Sequence, residues 1–172
     1  MIASVAGFAD YFESVRRRTH EFFRAIPPGR VDWAPREGEY TCGDIVRHVA
    51  AAEAMFVGAV VDGVWRYGGH ARSSAPTLDA ALAWLDAGHA AAAARLRALG
   101  DGVLTETRPA LEPRGRPVRA WRLLLAMTEH EVHHRSQLAS YLTWMGVEAP
   151  DIFGLGVEDV ERLTAHGAGR ER

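Results

Sequence analysis

The sequence predicts an all-α fold, a four-helix bundle with a short extra helix at its C-terminal end. Three observations point to it. Four stretches of roughly 20 to 28 residues carry apolar side chains every three or four positions, which is the helical period. Proline and glycine bracket those stretches. No strand-like alternation of useful length interrupts them, and no short-period repeat is present. Helices of this length, joined by loops, bury their apolar stripes against one another. A chain of 172 residues suits one domain, assigned to residues 1–166, with 167–172 expected to fray.

The first helix is expected over residues 2–25. Phe8, Phe12, Val15, Thr19, Phe22 and Ile26 follow one another at steps of four and three. Pro27, Pro28 and Gly29 stop it, and a polar connection runs to Tyr40. Thr41 then has the character of an N-cap, with Asp44 three residues on as a capping-box variant. That second helix extends to about Val61 on a stripe of Ile45, His48, Ala52, Met55 and Ala59. A glycine-rich loop follows. Pro76 and Thr77 open the third helix, in which Leu78, Leu82, Leu85, His89, Ala92, Leu96 and Leu99 keep helical spacing up to Gly100. Residues 101–117 break the pattern with Pro109, Pro113, Gly115 and Pro117, and a short hairpin fits around Pro113-Arg114-Gly115. The fourth helix spans residues 118–145 and is closed by Gly146. Its mixed face holds Leu124, Met127 or Thr128, Glu131, His134, Leu138, Leu142 and Met145. A short amphipathic helix is expected near residues 157–163.

Composition narrows the chemistry. All 20 basic residues are arginine, against 22 acidic ones, for a net charge of −2. Without lysine there is no lysine Schiff base and no standard phosphate-binding loop. One cysteine, Cys42, excludes an internal disulfide and an all-cysteine zinc site. Cys42 falls at a helix N-terminus, where the dipole favours a thiolate, although a bystander role is the plainer reading. Balanced charge gives no electrostatic footprint for nucleic acid. The run Arg16-Arg17-Arg18 reads as a solvated helix face. No stretch is apolar enough to span a membrane, and residues 1–12 do not resemble a signal peptide, so a cytoplasmic location is expected. Eight histidines remain as the side chains that normally titrate near neutrality.

The densest chemistry is His130-Glu131-Val132-His133-His134 on the fourth helix. Residues at i and i+4 share a helix face with Cβ atoms about 5–6 Å apart, so His130 and His134 can converge on one metal ion. His133 lies about 100° round the helix from His134 and points elsewhere. His48, within the apolar stripe of the second helix, can supply a third nitrogen from a facing helix. The same five residues also read as H-E-x-x-H, the zinc signature of many metallohydrolases, although no strand pattern exists to form their substrate edge. Glu131 is a candidate partner to a metal-binding histidine, a proton carrier or a solvated helix residue. Arg135 is a candidate for an anionic cofactor or a plain salt bridge. His89 is expected to pack in the core with a hydrogen bond or to reach the same cavity, and His20 to line a rim.

These residues carry a resemblance. Arg30-Val31-Asp32-Trp33-Ala34-Pro35, Glu39-Tyr40-Thr41 and Asp44-Ile45-Val46-Arg47-His48-Val49-Ala50 resemble the entry to the second helix in the DinB/YfiT-like family. The stretch from Glu129 through His134 to Leu138 is similar to that family's fourth-helix motif, with Ser136 where glycine is common. Pro150-Asp151-Ile152-Phe153-Gly154 resembles its C-terminal tail. The resemblance implies an up-down-down-up bundle, often a homodimer. It implies a divalent metal (Zn, Ni or Fe) held by His48, His130 and His134. It further implies a thiol-dependent S-transferase that joins a low-molecular-weight thiol such as bacillithiol, mycothiol or glutathione to a small electrophile in detoxification or stress. A non-catalytic metal- or ligand-binding stress module with the same three ligands is the alternative.

Overall fold

The computed structural model describes residues 2–112 and 114–167, the last two by their backbone alone. Helix α1 spans Val5–Arg24, α2 Cys42–Asp62, α3 Leu78–Arg97, α4 Ala120–Trp144 and α5 Val157–Gly167. Short 3₁₀ turns occupy Arg72–Ser74 and Asp101–Thr105. The remaining expected tail, residues 168–172, lies outside the described residues. Among the described residues, no helix is long and apolar enough to cross a membrane.

Local chemistry sets the helix ends. Helix α1 begins at Val5 rather than at Ile2 because the Ser4 hydroxyl accepts from the Gly7 amide at 3.0 Å. Helix α2 starts on a complete capping box. The Asp44 amide donates to the Thr41 hydroxyl, and the Thr41 amide donates to the Asp44 carboxylate, each at 3.0 Å. Gly63 ends α2 in the left-handed conformation, with φ of 68°. Thr77 caps α3. Helix α4 starts two residues later than its apolar pattern suggests. Val118–Arg119 instead forms strand β2, paired antiparallel with β1, Thr107–Arg108.

The core is two apolar clusters. One gathers Val5, Phe8, Phe12 and Val15 of α1 with Val57 and Val60 of α2, Ala92 and Leu96 of α3, and Leu123, Leu124 and Met127 of α4. The other gathers Phe22 and Phe23 with Ile45, Val46 and Val49, Ala81 and Leu85, and Leu138 and Leu142. This division fixes the directions of the helices. Helices α1 and α4 run from the first cluster to the second, and α2 and α3 run from the second to the first. The bundle is therefore up-down-down-up. Helix α2 packs most extensively against α3 and α4, while α1 lies on α4 and α3.

Parallel neighbours α2 and α3 cannot be joined by a tight turn. Residues 63–77 must return along the bundle, and α2 with its 21 residues is about 30 Å long. An extended connection of that many residues reaches this far. The crossover is pinned by Arg47, a fully buried guanidinium on α2. Its Nε donates to the His70 carbonyl at 3.1 Å and its Nη1 to the Ala75 carbonyl at 2.9 Å, while Nη2 pairs with Asp44 at 2.7 Å.

Candidate metal centre

His130 and His134 stand one turn apart on α4, and His48 faces them from α2. The α2–α4 packing brings one nitrogen of each ring within 4.8 Å of the others. The His48 and His130 Nε2 atoms are 2.9 Å apart. Two nitrogens on one ion, each at about 2.0–2.1 Å, can be at most about 4.2 Å apart, so this pair already has a ligand spacing. His134 is 7 % exposed and donates from Nδ1 to the Gln137 Oε1 atom at 2.9 Å, which leaves its Nε2 lone pair free. The set is three neutral nitrogens, compatible with metal binding.

The surroundings keep these rings neutral. Burial pushes His48 down to about 4, helped by His134, His70 and His133. Burial likewise pushes His130 down to about 3, helped by His134, His48 and His133. His134 is also lowered by burial, with the Gln137 hydrogen bond acting in the opposite sense. At neutral pH each of the three is therefore a neutral ring with one N–H and one lone pair that a metal can take.

A cavity of about 360 Å³ opens beside the rings, lined by Gly38, Glu39, Tyr40, His48, His133, His134 and Gln137. The Tyr40 ring lies 5.4 Å from His48 and 6.4 Å from His134, between centroids. His133 is exposed and sits on the rim, as helix geometry requires. Three neighbours escape a reading of the sequence. Tyr40 ends a polar loop, and Tyr67 and His70 belong to the aperiodic crossover, so no spacing marks them. The Tyr67 hydroxyl lies 2.6 Å from His48 Nδ1 and 2.5 Å from His70 Nδ1. Burial pushes the Tyr67 phenol up to about 12, so it is neutral at working pH.

Other candidates go elsewhere. Glu131 is not a solvated helix residue. It is 2 % exposed, and its carboxylate accepts from Arg16 at 2.7 Å within the core. That pairing leaves it unsuited to the general-base role of an H-E-x-x-H hydrolase. Arg16, expected on a solvated face, is 3 % exposed and also donates to Glu53 at 2.8 Å. The charge run splits because Arg16 adjoins Val15 on the buried side of α1, while Arg17 is exposed. Arg135 forms no salt bridge among the described residues. It donates to the Val15 carbonyl at 3.1 Å and to the Thr19 hydroxyl at 3.3 Å. Burial lowers its pKa, although a guanidinium remains charged. His89 does not reach the histidine cavity. Its Nδ1 meets Glu53 at 2.7 Å and its Nε2 meets Glu13 at 3.1 Å. His20 pairs with Asp86 at 2.6 Å, on the α1–α3 side. Cys42 is fully buried, and burial pushes its thiol up to about 11 in spite of the helix N-terminus.

An up-down-down-up helical bundle with three converging histidines on two facing helices defines a class of candidate metal-binding bundle proteins. The sequence profile of the DinB superfamily matches residues 11–138, and the chain belongs to that superfamily. The fold is similar to the crystal structure of a DinB-like protein from Bacillus subtilis, with a TM-score of 0.68 at 24 % identity. That alignment covers 85 % of this chain and 96 % of the other. A DinB-like protein from Bacillus cereus ATCC 10987 is similar with a TM-score of 0.73 at 17 % identity, covering 88 % of this chain and 99 % of the other. No curated protein matches the chain.

Proposed function

We propose that this chain is a metal-dependent enzyme in which His48, His130 and His134 hold a divalent Zn, Ni or Fe ion. We infer that it transfers a low-molecular-weight thiol to a small electrophile. The observation that carries this reading is the convergence of three neutral imidazoles beside an open cavity. Three protein ligands with room for a fourth partner are the pattern of catalytic rather than structural sites. When bound, such an ion supplies a positive charge that lowers the pKa of a thiol or water at the open position.

The chain's own residues support the rest. Gln137 fixes the His134 tautomer, and Tyr40 covers the rings. Cys42 is buried with a raised pKa, so the reacting sulfur comes from a co-substrate rather than from the protein. In the reaction the thiolate sulfur forms a bond to the electrophilic carbon, the leaving group departs with the bonding electron pair, and the thiol proton passes to solvent. His133 lines the cavity from its exposed rim.

The test uses protein purified without a histidine tag and supplied with Zn²⁺ or Ni²⁺. Conjugation of glutathione, bacillithiol or mycothiol to a haloaromatic electrophile is followed by loss of free thiol. Metal-dependent turnover with one of them is the expected result. Stoichiometric metal binding without turnover on any of the three would favour the non-catalytic module instead.

A further inference from the structure

Each of the three histidines needs its far side held if its near nitrogen is to face an ion, and for His48 the holder is not on α2 or α4. It comes from the crossover. Arg47 pins residues 63–77 by its bonds to the His70 and Ala75 carbonyls, and this fixes where the His70 ring stands. Tyr67, three residues earlier, places its hydroxyl between two imidazole nitrogens, His48 Nδ1 at 2.6 Å and His70 Nδ1 at 2.5 Å. Tyr40 packs on both rings, 5.4 Å from His48 and 4.8 Å from His70 between centroids.

We propose that Tyr67, held by His70, is the positioning residue that sets the tautomer of His48 and thereby the metal affinity of the site. The inference rests on the metal-binding part of the function proposed above. The argument is one of proton counting. A neutral phenol has one proton and donates to only one of its two nitrogen neighbours. When His48 Nε2 offers its lone pair to an ion, His48 Nδ1 carries the ring proton and donates to the Tyr67 oxygen. The phenol proton then goes to His70 Nδ1, whose own ring proton sits on Nε2. All three groups are satisfied in that polarity. The opposite polarity puts the Tyr67 proton on His48 Nδ1 and a proton on His48 Nε2, where it donates to His130 Nε2 at 2.9 Å. The hydrogen-bond chain thus has a metal-accepting and a metal-refusing arrangement, and the first is the one in which His70 Nδ1 accepts from Tyr67.

Tyr67 is 42 % exposed and outside both apolar clusters, so Tyr67→Phe is expected to fold normally. Zinc affinity is measured by competition with a chromophoric chelator. The His48 tautomer is read in the same samples from long-range proton–nitrogen NMR correlations. Tyr67→Phe is expected to weaken zinc binding by about 10–100-fold, the scale of losing a ligand's outer partner, with a change in the His48 ring-nitrogen shifts. His70→Leu is expected to move both readouts the same way. His70→Asn, which keeps an acceptor near the Nδ1 position, is expected to restore them. Tyr67→Phe binding zinc within about twofold of the unaltered chain, with His48 shifts unchanged, would overturn this inference and leave the three-histidine site standing. An unaltered chain that binds no divalent metal would instead remove the function proposed above, and this inference with it.

Discussion

His133 and His134 are neighbours in sequence and have the same chemistry, yet one is exposed and the other faces His48 across the bundle. Direction alone separates them. The consequence is a sharp test at single side chains. His48→Ala, His130→Ala and His134→Ala are each expected to lower zinc affinity by at least the roughly 10–100-fold attached to outer partners, since each removes a proposed ligand. His133→Ala is expected to keep full stoichiometry. Elemental analysis of the four proteins checks this, and full metal content in His48→Ala would sink the three-ligand assignment. The three histidines were legible because two of them share a helical repeat and the third breaks an apolar stripe. Tyr67 and His70 were not, because a crossover has no period and its side chains are placed by Arg47 rather than by their own spacing.

At the scale of elements, the stripes of all four helices and the capping box of α2 could be read directly, since burial periodicity and cap chemistry are local. Charge partners could not, because they join residues far apart in the chain. His89 illustrates the difference. It ties α3 to α2 through Glu53 and to α1 through Glu13, with Arg16 and Phe12 of α1 also beside it and Arg97 behind Glu13. Burial opposes a charged imidazole here, and the hydrogen bond and negative charge of Glu53 outweigh it, so the His89 pKa is raised. A value above the unfolded one of about 6.5 means that the stabilisation is complete below about pH 6.5. It is lost as pH rises through the folded value. His89→Gln is expected to lower unfolding free energy at pH 6 by on the order of 1–3 kcal/mol. The gap to the unaltered chain should narrow by pH 9. Urea titrations at the two pH values check this, and a gap that widens with pH would contradict it.

Across the whole molecule, the two apolar clusters are separated by a polar belt to which every helix of the bundle contributes one residue. These are Arg16 from α1, Glu53 from α2, His89 from α3 and Glu131 from α4. A buried charge on one helix can be satisfied only if the others stand at the matching height. Sliding α1, α2 or α4 by one turn would leave a carboxylate unpaired in the core, and sliding α3 would part His89 from Glu53. The belt therefore acts on register more than on net stability, because desolvation offsets most of what buried ion pairs gain. The two contributions can be separated. Arg16→Met leaves Glu131 buried without its cation and is expected to cost about 3–5 kcal/mol. Adding Glu131→Leu removes the stranded charge, while Glu53 keeps His89 as a partner. The double variant should then recover a large part of that loss in urea denaturation, although each single change is destabilising. If Glu131→Leu costs as much in the Arg16→Met background as it does alone, Arg16 and Glu131 do not share an interaction energy and the belt does not set the register of α1 against α4. If the double variant recovers, His130 and His134 owe their height opposite His48 in part to the residue between them, since Glu131 locks α4 from the side the histidines do not face.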